Sequence, residues 1–283
     1  MSQASYVSIK KSKVKLKKSL GQNFLKEQFI VEEIIEVANI DKETTVIEIG
    51  PGIGALTQGL IVEAGQIIAI EIDKRLINIL TEKFQEDNFE LLNMDFLDID
   101  QKKFKDKIKY KKVKVVANLP YYITTPIIMK ILIDMLYIDE IYIMVQKEVA
   151  QRICAKNKTK QYGSLSVFCQ TISTPKLEFV VKKECFEPEP KIDSAIISFK
   201  RKENDVNINE FSKFLQNCFV QKRKTLVNCL NQSYKIEKKI LIEFLEKQGL
   251  KETTRAEEIE NIKYIDLFNQ FNELIDSNNE KRE

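Results

Sequence analysis

An amide, a proline and an aromatic ring stand together at Asn118-Leu119-Pro120-Tyr121, directly after the apolar run Val113-Lys114-Val115-Val116-Ala117. That run has the length and β-branched content of a buried strand, so the tetrapeptide is presented at a strand's carboxyl end. In an open α/β sheet, ligands bind in the crevice outside the strand tips. An amide that accepts N–H groups and a ring that stacks on a flat partner suit chemistry on a planar amine. A proline turn that merely ends a strand reads the same way, so the tetrapeptide needs partners before it is a site.

A second candidate lies nearer the amino terminus, in Glu48-Ile49-Gly50-Pro51-Gly52-Ile53-Gly54-Ala55-Leu56-Thr57. Glycines between a strand and the next helix let the backbone approach a ligand closely. Gly50, Gly52 and Ala55 also satisfy the dinucleotide pattern G-x-G-x-x-G/A, and Glu71 follows 21 residues after Gly50, where a ribose-binding acid is expected. A nicotinamide enzyme is therefore open at this point. Under either cofactor Glu71 has one role, accepting hydrogen bonds from ribose hydroxyls at the tip of the second strand. Asp95, in Asn93-Met94-Asp95-Phe96-Leu97 after the third strand, is placed to accept from an adenine amine.

The chain contains no histidine, which removes the commonest general base and every Ser/His or Cys/His nucleophile. That favours a reaction whose driving force sits in a cofactor, with the protein supplying position and hydrogen bonds. The five cysteines are odd in number and form no Cys-x-x-Cys pair, against both a disulfide framework and a zinc site. No apolar stretch approaches the ~20 residues that cross a bilayer, and none resembles a signal peptide. The expectation is a soluble, cytoplasmic protein without membrane contact, binding no metal. At 283 residues and 43% hydrophobic content it can build a sizeable core.

The elements that must position these residues alternate. Strands are expected at Thr45–Ile49, Gln66–Ile70, Phe89–Leu92, Val113–Ala117 and Glu140–Val145. Helices are expected at Phe29–Ala38, Ala55–Glu63, Lys74–Phe84 and Thr125–Leu136. Such alternation predicts an α/β fold with a parallel, doubly wound sheet. After Ser198 the pattern turns to charged helical stretches, Asn209–Gln221, Glu237–Gln248 and Arg255–Phe271. The organisation read from this is a basic arm over residues 1–18, a catalytic domain over 19–203 and a small helical domain over 204–283, with the boundary in the polar stretch Lys202–Val206.

Net charge is only +3, but six lysines and no acid fall within residues 1–20, and Lys102 to Lys114 holds eight lysines against the single Asp106. Smaller groups stand at Lys156/Lys158/Lys160, Lys200/Arg201/Lys202 and Lys222/Arg223/Lys224. Clusters of this kind suit a polyanion, and the expectation is that they track phosphates; lysines that simply solvate loops are the bland alternative.

With Asn118-Leu119-Pro120-Tyr121 at the fourth strand, the sequence resembles class I S-adenosylmethionine-dependent methyltransferases, in which this tetrapeptide and its relatives mark methylation of a base amine. The likeness extends through Gly21-Gln22-Asn23-Phe24-Leu25, Glu48 to Thr57, Ile123-Thr124-Thr125-Pro126, Gln146 to Arg152, Phe186-Glu187-Pro188-Glu189-Pro190 with Ser194-Ala195, Arg223-Lys224-Thr225-Leu226 and Arg255-Ala256-Glu257. Together these resemble the ribosomal RNA adenine dimethyltransferase family, and within it the small-subunit (16S) branch more than the macrolide-resistance (23S) branch. Tyr122 departs from the pattern, standing where many members carry asparagine.

The resemblance implies a Rossmann-like methyltransferase sheet with a small helical domain. It also implies dimethylation of two adjacent adenosines in a loop near the 3′ end of 16S RNA within the small subunit, by a monomer. A ribosome-assembly factor whose binding matters more than its catalysis is a third reading. For the site, the resemblance implies that Asn23 and Leu25 close over S-adenosylmethionine and that Gly50 and Gly52 admit it. Glu71 would hold its ribose and Asp95 its adenine, with Asn118 between cofactor and substrate. Leu119 and Pro120 would complete the turn, Tyr121 would stack on the target base, and Phe186 would close the base's other face.

Overall fold

The computed structural model describes residues 23–280, with side chains to residue 277; the basic arm 1–18 and Gly21-Gln22 lie outside the described residues. Two compact units result, one running to Ala150 and taking in Lys176–Arg201, the other comprising Gln151–Pro175 and Lys202 onward. The second unit thus takes residues 151–175, which a linear reading puts before the boundary at 203/204. Helix α7 (Ser164–Ile172) packs its apolar side chains against α8 (Ile208–Cys218), and Tyr162 donates its hydroxyl to Ile259 O at 3.0 Å.

The first unit is built on a seven-stranded sheet. The chain runs through β1 (Phe24–Leu25), α1 (Gln28–Ala38), β2 (Thr44–Ile49), α2 (Ala55–Glu63), β3 (Gln66–Glu71), α3 (Lys74–Lys83) and β4 (Phe89–Asn93). It continues through α4 (Gln101–Lys105), β5 (Lys112–Asn118), α5 (Thr124–Asp134), β6 (Glu140–Gln146) and α6 (Lys147–Ile153). After α7 come β7 (Ser173–Val181), β8 (Phe186–Glu187) and β9 (Ser194–Arg201). The spatial order is β4-β3-β2-β5-β6-β9-β7, with β1 and β8 forming a separate antiparallel pair. Every residue of β2 and β3 is buried, as strands covered on both faces require.

Strands β2 to β6 pair in parallel, but β9 lies antiparallel on β6, so the sheet is mixed rather than purely parallel as expected. The parallel core behaves as predicted because each crossover carries a helix. The run Ser194–Arg201 instead enters through the short Phe186–Glu187 excursion and has no crossover helix to turn it round. Strand order reverses between β2 and β5. That switch point opens a crevice at the carboxyl tips of these two strands, where Gly50 and Asn118 stand.

The opposite edge is fastened by polar side chains. Lys114, 2% exposed, donates Nζ to Ala38 O at 2.6 Å and Asn39 O at 3.2 Å, and pairs with Glu140 at 2.6 Å. It therefore caps the carboxyl end of α1, where carbonyls lack partners and the helix dipole favours a cation. Arg201 does the same for α5, donating to Ile131 O, Leu132 O, Met135 O and Ile138 O at 3.0–3.3 Å.

The second unit adds α9 (Leu226–Tyr234), α10 (Lys238–Lys247) and α11 (Tyr264–Glu280), packed about rings that include Phe211, Phe214, Phe244, Phe268 and Phe271. The single helix expected over Arg255–Phe271 starts only at Tyr264. Before it the chain makes two 3-10 turns, Ala256–Glu258 and Asn261–Lys263, because Glu258 accepts the Arg255 N–H at 2.7 Å and the buried Tyr264 hydroxyl reaches back to Ala256 O at 2.7 Å. Among the described residues no helix is long and apolar enough to cross a membrane.

Candidate active site

A pocket occupies the crevice at the switch point, lined from the tips of β2, β3 and β5, from the segment around β1, and from the turns after β4 and β5. Its floor is the glycine loop. Gly50 has φ +67° and Gly52 φ +62°, a region L side chains seldom enter, so the backbone itself faces the pocket. A Cβ on Gly52 would lie 2.8 Å from the Phe24 ring, so the segment Asn23–Leu25 rests directly on the loop. Behind the loop, Lys83 donates to Ile53 O at 3.2 Å and Gly54 O at 3.4 Å.

Glu71 is 5% exposed at the end of β3. Its two oxygens accept the Gly52 N–H at 3.2 Å and the Asp73 N–H at 2.8 Å, which fixes the carboxylate and leaves a further lone pair on each oxygen. Burial pushes its carboxyl above the usual range, against those two bonds. Asp95 lines the pocket beyond it and accepts the Leu97 N–H at 2.8 Å through Oδ1. The apolar side chains of Ile72 and Met94 flank these acids and stay 50% and 37% exposed.

Asn118 ends β5, paired in register with Met144. Its amide Nδ2 donates to Asn23 O at 3.1 Å, so the side-chain oxygen is the group left to accept from a ligand. The Leu119 N–H donates to Met144 O at 3.2 Å, and Leu119 is buried. Pro120 O already accepts twice, from the Ile123 N–H at 3.3 Å and the Thr124 hydroxyl at 3.2 Å. Tyr121 opens a 3-10 turn, Tyr121–Ile123, and its half-buried ring lines the pocket beside the exposed Tyr122.

The structure brings Asn23, Leu25, Gly50, Gly52, Glu71, Asp95, Asn118, Leu119, Pro120 and Tyr121 to this one pocket. It does not bring Phe186. That ring is 1% exposed and packs in the core with Leu25, Val116, Met144, Val181 and Ile196, because the β1–β8 register sets Phe186 opposite Leu25. The ring therefore lies outside the set of residues that line the pocket, apart from the place the resemblance implies for it. Sequence reading gave Glu48 no role, yet it lines the pocket at 1% exposure and accepts the Thr57 hydroxyl at 2.7 Å. Burial pushes its carboxyl up to about 8, with the neighbouring Glu71 charge adding to the shift and the Thr57 bond opposing it. The available signal was an acid inside an otherwise uncharged, fully buried strand.

Comparison with known proteins decides among the cofactors. The family model described as ribosomal RNA adenine dimethylase matches residues 13–273. The chain belongs to the ribosomal RNA adenine dimethylase family. Relatives named ribosomal RNA small subunit methyltransferase A are 39% identical in Mycoplasma capricolum, over 90% of this chain and 97% of the relative, and 45% identical in Lactococcus lactis, over 85% of each. Among solved structures, a dimethyladenosine transferase from Plasmodium falciparum aligns with a TM-score of 0.76 at 27% identity, covering 88% of this chain and 98% of that one. The 23S rRNA methyltransferase ErmE aligns at 0.65 and 25%, covering 87% and 98%. Family membership makes this an S-adenosylmethionine-dependent enzyme that dimethylates adenine in ribosomal RNA, on a Rossmann-like methyltransferase sheet.

The pocket suits that cofactor. It offers positive-φ glycines for close approach, a fixed carboxylate for ribose hydroxyls and apolar side chains for an adenine face.

Proposed function

We propose that the enzyme methylates two adjacent adenosines in a hairpin loop near the 3′ end of 16S RNA, within the small ribosomal subunit or its precursor, acting in the cytoplasm as a monomer. The small-subunit names of the relatives at 39–45% identity support this choice of RNA. The observation that carries the mechanism is the Asn118 amide, whose nitrogen is committed to Asn23 O and whose oxygen is therefore turned to accept.

In this reading Glu71 holds the ribose of S-adenosylmethionine, Asp95 its adenine amine, Gly50 and Gly52 admit it, and Asn23 and Leu25 cover it. The bound cofactor supplies an electrophilic methyl group on a sulfonium. An adenine exocyclic amine is a poor nucleophile because its lone pair is delocalised into the ring. The Asn118 oxygen accepts one of its N–H groups. The Leu119 carbonyl accepts the other, since Pro120 O is already taken by two donors. Held this way, the amine turns its lone pair out of conjugation and toward the methyl. After transfer the nitrogen is strongly acidic and gives its proton to water, so no histidine is needed. Tyr121 stacks on the unstacked base, worth about 1–3 kcal/mol.

The test is transfer of labelled methyl groups to isolated unmethylated 30S and 50S subunits, followed by nucleoside analysis. Dimethyladenosine in 30S RNA is expected, with Asn118→Ala lowering turnover by about 10²- to 10³-fold, the usual cost of losing one oriented hydrogen-bonding group. Label in 50S RNA would assign the activity to the macrolide-resistance type. Tight small-subunit binding without label in either would favour the assembly-factor reading.

A further inference from the structure

The turn carrying Tyr121 is fixed by its backbone, but the ring is not fixed by the turn. A tyrosine has two side-chain torsions, and stacking depends on the plane they set. The phenol oxygen of Tyr121 lies 2.6 Å from Ser194 Oγ. Ser194 is fully buried as the first residue of β9, paired in register with Gln146 at the tip of β6. The ring is thus anchored at both ends, its Cα on the turn after β5 and its hydroxyl on a rigid strand two places along the sheet.

We infer that Ser194 is a positioning residue for methyl transfer, holding the Tyr121 ring in the plane in which it receives the target base. The inference rests on the reading that Tyr121 stacks on that base. A group that must meet a flat substrate works best when its own rotamer is locked by a second layer of hydrogen bonds. Ser194 supplies such a lock without reaching the substrate. Burial pushes the ionisation of the phenol upward, with the Ser194 bond opposing the shift.

The test is a double-mutant cycle on the full-length enzyme with unmethylated 30S subunits, using Tyr121→Phe, Ser194→Ala, their combination, and Tyr121→Ala. Tyr121→Phe keeps the ring and removes only the bond. Each of the first two variants is expected to lower kcat by about 3- to 10-fold, the span of one net hydrogen bond. KM for the subunit and affinity for S-adenosylhomocysteine should hold, and the double variant should be no worse than either single one. Additive losses, or full activity in Tyr121→Phe, would overturn the inference. If Tyr121→Ala is crippled while Tyr121→Phe is fully active, stacking survives and only the role of Ser194 fails. Full activity in Tyr121→Ala removes the stacking reading and the inference with it. Should Ser194→Ala prove unstable, Tyr121→Phe tests the same bond from its other end without disturbing β9.

Discussion

The two buried acids of the pocket set how the enzyme responds to pH and to ligand. Glu48 holds its proton to about pH 8 when folded but titrates near 4.5 when unfolded. Its stabilising contribution is therefore complete below about pH 4.5 and is lost as pH rises through 8, because the unfolded chain gives up the proton first. Thermal melts of the ligand-free enzyme should shift downward from pH 5.5 to 8.5, and Glu48→Gln should flatten the curve, leaving the slope that Glu71 adds in the same direction. An unchanged slope in the variant would sink this assignment. Glu71→Ala should weaken S-adenosylhomocysteine by about 10- to 100-fold, the range for hydrogen bonds to a charged group, as calorimetry would read. Residues at strand tips were legible in the sequence because each follows its own strand within a few positions: Gly50, Glu71, Asp95 and Asn118 need only local order to be found. Phe186 was not legible, since its burial depends on pairing with Leu25, some 160 positions away, and the two-residue alternation of buried Phe186 with exposed Glu187 is too short to announce a strand.

At the scale of elements, the parallel core was readable and the additions to it were not. Strands β2, β3 and β5 are short, largely apolar and β-branched runs separated by helical periodicity, the pattern of a sheet covered on both faces. Ser194–Arg201 is not among the strands expected from the sequence: its first four residues are all buried without alternation, and its antiparallel course on β6 comes from the structure alone. Helix α9 was missed because Asn228, Asn231, Gln232 and Ser233 dilute its apolar face. The lysine at the start of β5 shows how polar residues hold elements together. Lys114→Met keeps the length of the side chain but removes the cap on α1 and leaves Glu140 without its partner. A loss of about 2–4 kcal/mol in urea unfolding is expected, with kcat little changed because Lys114 stands four residues, about 13 Å of strand, from Asn118.

For the whole molecule, the charge pattern divides in two. The eight lysines of 102–114 are expected from the sequence to track phosphates, yet Lys107 pairs with Glu90, Lys112 with Asp41 and Lys114 with Glu140. Backbone groups of Lys107, Lys109 and Tyr110 are bonded to Gln66 and Thr45 at the beginnings of β3 and β2. The part of the block from Lys107 to Lys112 therefore lies on the amino-terminal edge of the sheet, the length of β5 or roughly 20 Å from the pocket. Removing Lys107 and Lys112 should leave the salt dependence of RNA binding unchanged. Deleting residues 1–18 should reduce its slope by about 0.7–0.9 for each phosphate that the arm neutralises, and an unchanged slope would take the arm out of the RNA site. The bond from Asn118 to Asn23 has a consequence for repeated transfer to one nitrogen. Asn23 adjoins Phe24, which lies on the glycine loop, and in the proposed function it covers the cofactor, so exchange of a spent cofactor past Asn23 would also disturb the carbonyl that orients the amide. On that reading, reloading the cofactor and loosening the grip on the amine would be a single event, because one backbone carbonyl serves both.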